Sequence, residues 1–486
     1  MRKSIGLLDG VVIAASSTAA TTSIGIGLGL TAGIVGLHLP AIMLLAFLPV
    51  LGIAGGYGRL NRVEPNAGNS YTWVGRTLSP WLGFLTGWVS IVSTVVFMAY
   101  TTAVTGSAVL QLVGQAGLHS VLGHPLDPES TLQTTLLGLV VLAAATVVAT
   151  RGLGLAARLQ RYLLVFEYAV LLGFCGYGLF AGDQPFSLDW YNPFTIPSLD
   201  SLAQGMVLGV FSYWGFESVF SVGEEVRDPR DASRGGLIAL ALMMLLFLLA
   251  ATAFQRVLPL DELADNGAQG LTYFGQKLAH QPLAALPLIA LTFSAVASLQ
   301  AAVIPTARGT YAMGRDATLG PVWTRLHPRH RTPVAGTVLI TAIASAVAVL
   351  ALVIPTVTDL IGAAVNAIGI VVALYYALTA FAAAVRFRHL LRTAPLEALR
   401  AVVAPALGAV VLLAVGGYLV RSFYLASDHF ELDAGNGWFQ LLVPALMIGS
   451  GLFAGAWARW VRRSPYFADG RGTDAGRLLP APTSPS

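Results

Sequence analysis

Two acidic residues interrupt apolar stretches of this sequence. Glu167 lies within YLLVFEYAVLL, and Glu217 lies within GVFSYWGFESVF. A carboxyl group in apolar surroundings can take up and release a proton, or it can ligate a cation such as sodium. The carboxylates in these stretches are scattered, and the eight histidines show no metal-ligand spacing. The residues therefore favour the handling of a proton or cation over catalysis, and they predict neither an enzyme nor a cofactor.

The composition indicates which elements must hold these carboxylates. Hydrophobic residues make up 56% of the 486 residues and charged residues only 11%, whereas soluble domains carry roughly 25% charged residues. We therefore predict an all-α membrane protein built from spans of about 20 apolar residues. The twelve predicted spans are residues 10–36, 41–58, 81–112, 132–150, 161–181, 201–222, 236–256, 283–307, 334–354, 358–384, 401–423 and 437–459.

The basic residues indicate how these spans are oriented. All but three of the 28 lysines and arginines lie at the amino terminus, after spans 2, 4, 6, 8 and 10, or after span 12. Arg256, Lys277 and Arg421 are the exceptions. Because basic segments stay in the cytoplasm, both termini are predicted to be cytoplasmic in a protein of the cell membrane. The net charge of +4 is thus a topology signal, and nucleic acid is not a predicted partner.

Three stretches carry recognisable patterns. Residues 61–88, NRVEPNAGNSYTWVGRTLSPWLGFLTGW, place an acidic residue, a proline and glycines ahead of span 3. Residues 209–231 combine an aromatic run with Gly-Phe-Glu and a charged loop, and residues 306–333 form a basic arm after span 8. In this order and spacing they resemble the amino acid–polyamine–organocation (APC) family of transporters, and the first stretch looks most similar to permeases common in actinobacteria. Ser79 and Ala317 stand where that family commonly has glycine.

The resemblance implies the leucine-transporter fold. In that fold spans 1–5 and 6–10 form two inverted repeats, spans 1 and 6 are broken near the membrane centre, and spans 11 and 12 are peripheral. The tail is rich in proline, glycine, serine and arginine and is predicted to be disordered. The predicted divisions are an amino-terminal cytoplasmic segment at 1–9, a transporter core at 10–385 with repeats at about 10–182 and 200–385, helices 11 and 12 within 401–461, and a disordered cytoplasmic tail at 464–486.

The resemblance also implies a substrate site where spans 1 and 6 unwind, because freed backbone groups can bind both ends of an amino acid. In span 1 the family's glycines are absent, and the break is predicted at 19–23 (AATTS), with 25–27 as the alternative. A packing interface of small polar residues is the other interpretation of 19–23. Phe211 takes the position of an aromatic gate, while Asn366 either lines the cavity or bonds a neighbouring helix. The predicted substrate-binding residues are Ala19, Ala20, Thr21, Thr22, Ser23, Phe211, Ser212, Tyr213, Gly215 and Asn366.

Coupling and gating are assigned to four residues. Glu167 stands where proton-coupled members of the family often have lysine and where sodium-coupled relatives bind a cation. It is predicted to carry a proton, or to ligate sodium together with Ser294 and Ser298, unless it merely pairs with Arg161. Glu217 is implied to hold the two broken helices together, to carry a proton, or both.

A charged segment follows span 6, at residues 224–230. It is predicted either to form an inner gate with Arg308 or Arg315, or to be a solvated loop.

Together these features predict a secondary active transporter. Its substrate is expected to be an amino acid or related amine, moved by alternating access in a proton-coupled or exchange mode, with sodium as the alternative ion. A sensor that binds such a molecule without net flux is the rival class.

Overall fold

Apolar helices dominate the computed structural model, which describes residues 5–469 except 122, 152, 266–268, 329–331, 355, 432 and 434. In chain order the long helices are α1 (Leu7–Val35), α2 (Leu39–Val63), α3 (Pro80–Gln115), α4 (Thr131–Thr150), α5 (Leu153–Ala181), α6 (Leu199–Ser212, continued by Ser218–Ser221), α7 (Pro229–Val257), α8 (Leu286–Arg315), α9 (Val334–Leu350), α10 (Val357–Arg386), α11 (Ala404–Ala426) and α12 (Gly437–Ala456).

Within these described residues, eleven helices are long and apolar enough to cross a membrane. The remaining predicted span, α6, falls short only because it is interrupted after 14 residues. The all-α membrane fold with broken helices 1 and 6 is thereby confirmed. The domain boundaries and the inverted-repeat relation remain predictions.

Helix α1 is interrupted at Ala19, which adopts φ +48° and ψ +53°. The first half, α1a, is Leu7–Thr18. The second half, α1b, begins with Ala20–Thr22 and continues through a wide turn at Ser23–Gly27 into Leu28–Val35. The interruption therefore lies within the predicted stretch 19–23 rather than at 25–27.

Helix α6 is interrupted between α6a (Leu199–Ser212) and α6b (Ser218–Ser221). Gly215, in this gap, has φ +111°, and a Cβ at this position would lie 2.6 Å from the carbonyl oxygen of Ser17. Only glycine fits such a left-handed conformation at so close an approach. The two helix interruptions thus touch each other in the middle of the bundle.

Short elements connect the long helices. Helix Ser70–Thr77 lies between α2 and α3, and a two-stranded antiparallel hairpin between α3 and α4 is formed by β1 (Ser120–Val121) and β2 (His124–Pro125). Helices Leu260–Asp265 and Gly270–Leu278 join α7 to α8. We call the side of the bundle with Ile5 and the segments after α2, α4, α6, α8 and α10 the basic face.

The start of the tail departs from the predicted disorder. Residues Tyr466–Asp469 are helical, and the buried ring of Tyr466 stacks on Tyr71 with 4.6 Å between centroids. Phe467 packs on Trp81 at 4.9 Å. Composition averaged over the whole tail hides these two aromatic anchors, which gain stability by burial. The rest of the predicted disordered tail, 470–486, lies outside the described residues.

Candidate functional site

Two cavities adjoin the interrupted helices. The first, which we call the central cavity, encloses about 440 Å³ of empty space. The second, the basic-face cavity, has a volume of about 760 Å³ and extends from Ser17 and Gly215 to Tyr71 and Met313. The central cavity is lined by Ala19, Thr22, Ser23, Ile26, Gly27, Leu30, Phe97, Tyr100, Leu208, Phe211, Ser212, Ile361 and Val365.

An aromatic layer separates the two cavities. Phe97 of α3 lines both of them, Phe211 lines the central cavity, and Trp214 lines the basic-face cavity. The ring centroid of Trp214 lies 5.5 Å from that of Phe97 and 5.8 Å from that of Phe211. Phe211 thus lies between the central cavity and Trp214, and its role as a gate stays a prediction. Sequence reasoning missed Phe97 and Tyr100, because nothing in α3 distinguishes them from packing aromatics.

Two helix ends of opposite polarity line the central cavity. Ala19, Thr22 and Ser23 belong to the amino-terminal end of α1b, while Phe211 and Ser212 belong to the carboxyl-terminal end of α6a. The first end presents backbone N–H groups and a partial positive charge, and the second presents carbonyl groups and a partial negative charge. The arrangement can hold a carboxylate at one end and an ammonium group at the other.

The polar groups at the start of α1b are not all hydrogen-bonded by the described residues. No side chain in the described part of the chain caps this helix end, and the backbone N–H of Thr22 reaches Ser294 Oγ only at 3.4 Å. The hydroxyl of Thr22 is buried without a hydrogen-bond partner among the described residues. Buried polar groups are rarely left unpaired. These groups are therefore suited to a bound acceptor such as a carboxylate.

Glu167 lies directly behind the start of α1b. Its side chain is 1% exposed, and the hydroxyl of Thr21 donates to Oε2 at 2.9 Å. Ser294 of α8 lies beside this carboxyl group. Ser298 instead donates to the carbonyl of Ala295 at 2.9 Å. The structure thus joins α1b, α5 and α8 at one buried carboxyl group, with Ser298 directed elsewhere.

Arg161, the alternative partner predicted for Glu167, pairs with a different residue. Arg161 forms an ion pair with Asp9 at 2.5 Å. That pair lies nearer the basic face and is partly exposed. The interpretation of Glu167 as half of an Arg161 ion pair is therefore wrong.

This difference leads to a first prediction. Arg161→Gln is expected to leave substrate accumulation by the reconstituted protein within about twofold of wild type, because partly exposed ion pairs contribute only ~1 kcal/mol or less. Gradient-driven uptake into liposomes is the measurement. A loss of accumulation as large as that caused by removing the Glu167 charge would contradict the separation of the two groups.

Glu217 is held by helix α10. Its two carboxylate oxygens accept hydrogen bonds from Tyr375 at 2.7 Å and Tyr376 at 2.6 Å, and one also accepts from the N–H of Gly215 at 3.0 Å. The side chain of Trp214 donates to the Tyr375 hydroxyl. The resemblance implied a link between the two broken helices. The hydrogen bonds instead run from the gap in α6 to α10, since both tyrosines face that gap.

Five predicted substrate residues do not line the central cavity: Ala20, Thr21, Tyr213, Gly215 and Asn366. Gly215 lines the basic-face cavity instead, and Thr21 bonds Glu167. The hydroxyl of Tyr213 donates to the carbonyl of Met43 at 3.1 Å, and its ring packs against Phe47 and Phe247. Tyr213 thus faces α2 and α7, because each helical position turns the side chain by about 100° around the axis. Asn366 is half-buried in α10 and lines neither cavity.

The charged segment after α6 forms a network at the basic face. Arg308 pairs with Glu225 at 2.5 Å, with both side chains almost fully buried. Arg315 pairs with Glu224 at 2.9 Å, and the N–H of Ala67 donates to the same Glu224 oxygen at 3.0 Å. This network ties α6b to α8 and to the segment before α3, so the solvated-loop interpretation is wrong.

Comparison with known proteins agrees with this architecture. A family model described as amino acid permease matches residues 10–426. The low-affinity putrescine importer PlaP of Escherichia coli is 28% identical over 65% of this chain and 68% of its own length. The methylthioribose transporter of Bacillus subtilis is 24% identical over 60% of this chain and 63% of its own. The branched-chain amino acid permease BcaP of Lactococcus lactis is 24% identical over 57% of this chain and 60% of its own.

The family match covers the interrupted helices, the central cavity and nine further long helices. It also agrees with the resemblance to APC transporters carried by the three sequence stretches. The chain is a multi-pass membrane protein, a transporter rather than an enzyme, and it belongs to the amino acid permease family.

Proposed function

We propose that this protein is a secondary active transporter that moves an amino acid across the cell membrane by alternating access. The observation that carries the proposal is the pair of opposed helix ends at the central cavity. The carboxylate of the substrate would bind the N–H groups at the start of α1b, and the ammonium group of the substrate would bind the carbonyl end of α6a. We infer from the distribution of basic residues that both termini are cytoplasmic.

The side walls of the central cavity favour an apolar substrate side chain. Ile26, Leu208, Ile361 and Val365 contribute aliphatic surface, and Tyr100 adds an aromatic ring. None of the residues that line this cavity is charged. A diamine would leave its second ammonium group without a carboxylate partner, which is costly in a buried site. We therefore favour an amino acid with an aliphatic side chain over a polyamine.

We propose further that a proton drives accumulation and that Glu167 carries it. The Glu167 carboxyl group touches Thr21, in the first turn of α1b, so its charge is coupled to the helix end proposed to bind substrate. Sodium is the less favoured ion, because Ser298 donates to its own helix rather than toward Glu167.

The proposed selectivity leads to a second prediction. Val365→Phe is expected to weaken leucine binding by about tenfold or more while alanine binding changes little, since pocket size discriminates by that factor per one or two methylene groups. Competition against a radiolabelled substrate measures both affinities. Val410→Phe, at a position that is 55% exposed on α11, is the matched control. Equal losses for leucine and alanine would contradict a side-chain pocket at Val365.

Counterflow in liposomes tests the transport function itself. Liposomes with the purified protein are loaded with unlabelled leucine and diluted into a trace of labelled leucine. A transporter accumulates label transiently, whereas a sensor that binds without flux accumulates none above empty liposomes. The second result, together with demonstrated binding, would replace the transporter by the sensor.

A further inference from the structure

A groove at the membrane-facing surface lies between α5 and α7, near the face opposite the basic face. Its volume is about 950 Å³, and its lining includes Leu179, Phe186, Tyr191, Leu248, Thr252 and Arg256. Neighbouring apolar side chains are open, with Phe180 88% and Leu245 59% exposed. In a membrane this groove would face lipid, and it is separate from the central and basic-face cavities.

Arg256, near the end of α7, is the charged residue in this groove. Its Nε donates to the carbonyl of Leu179 at 3.2 Å. Its two terminal nitrogens have no hydrogen-bond or ion-pair partner among the described residues. The other two basic residues of this face have acidic neighbours. Lys277 pairs with Glu262 at 3.0 Å, and Arg421 lies with Asp200 around Tyr418. Arg256 is thus the basic residue of this face whose charge the described protein leaves uncompensated.

The surroundings place Arg256 at the level of lipid headgroups. Phe186 packs edge-on against Trp190 at 5.6 Å, and the Tyr191 hydroxyl is 2.6 Å from Thr252 Oγ1. Such aromatic clusters mark the boundary between hydrocarbon and headgroups. Leu248 lies about 12 Å further along α7, at 1.5 Å per residue. The groove therefore offers a cation at headgroup depth and an apolar channel below it.

We propose that this groove binds an anionic phospholipid. The two free nitrogens of the Arg256 guanidinium would donate to the phosphate, a planar donor pair suited to that group. One acyl chain would lie along Leu248 and Leu179. The charge of Arg256 selects an anionic lipid over a zwitterionic one, because the headgroup amine of a zwitterionic lipid offsets the phosphate charge.

Thermal unfolding of the purified full-length protein in detergent, with added lipid, tests this site. Phosphatidylglycerol is expected to stabilise wild type at concentrations about tenfold lower than phosphatidylcholine does. Arg256→Gln should require about tenfold more phosphatidylglycerol, as expected for loss of a charge-assisted hydrogen bond. Arg256→Lys should retain part of the preference, which separates charge from misfolding.

Arg421→Gln is the matched control, because it removes one arginine from the same face without touching the groove. It should keep the wild-type lipid preference. Equal stabilisation of wild type by both lipids, or an equal loss of preference in the Arg421 and Arg256 variants, would overturn the proposal. Inorganic phosphate that stabilises as well as the lipid would also overturn it, since a free anion site would then suffice.

Discussion

Glu167→Gln is expected to abolish gradient-driven accumulation of substrate while substrate exchange remains measurable. Glutamine keeps the size of the side chain and can still accept a hydrogen bond from Thr21, which lies 2.9 Å away in the wild type. It cannot take up or release a proton. If Glu167 carries the coupled proton, the variant should still switch access in both directions with substrate bound. It should not concentrate the substrate.

Paired assays in liposomes measure this effect. Uptake under an imposed proton gradient should fall to the level of empty liposomes, whereas leucine–leucine exchange should stay within roughly tenfold of wild type. Arg161→Gln serves as the control in the same helix. Accumulation by the Glu167 variant at the wild-type level would remove Glu167 from the coupling mechanism. Loss of both accumulation and exchange would assign it a structural role instead.

Gly215→Ala is expected to produce the largest loss of stability among the substitutions considered. Two effects add at this position. A residue with a Cβ is strained at φ +111°, and that Cβ would lie 2.6 Å from the carbonyl oxygen of Ser17. Backbone strain of this kind costs on the order of 1–3 kcal/mol. The contact between the two helix interruptions must also shift, which should disturb both helix ends at the central cavity.

Thermal unfolding and substrate exchange of the Gly215→Ala variant together test this prediction. The variant should unfold at a clearly lower temperature and lose most exchange. Gly417→Ala is the matched control. Gly417 lies in α11, away from both interruptions, and a Cβ at this position would meet nothing within 4 Å. Wild-type stability and activity in the Gly215 variant would show that the two helices do not need their close approach.

Much of the architecture follows from local sequence signals. Hydropathy and the basic residues predict the helices, and Gly215 beside Glu217 indicates the gap in α6. The contact between Phe97 and Trp214 does not follow from the sequence. Helix α3 is apolar on several sides, and any of its aromatic residues could either pack or face a cavity. Tyr375 and Tyr376 are 158 and 159 residues from Glu217 along the chain. No local pattern predicts such a contact.

Some site residues follow from the sequence and others do not, because several of them depend on tertiary contacts. The break at Ala19 falls within the predicted stretch 19–23, because the resemblance constrains where an aligned helix unwinds. Tyr213 was misplaced because a single helical step decides between the cavity and α2. Likewise, the partner of Arg161 depends on where Asp9 of α1a lies, and that is a matter of tertiary packing.

The most direct test of the account is whether the central cavity recognises both ends of an amino acid. Thermal stabilisation of the purified protein would be compared for leucine, leucinamide, 4-methylpentanoate and putrescine. A ligand at a hundredfold over its dissociation constant adds about 2.7 kcal/mol to the stability. We predict stabilisation by leucine and much weaker effects from the other three, each of which lacks one charged end or carries a second amine. Stabilisation by putrescine equal to that by leucine would contradict the pairing of the two helix ends with a zwitterion.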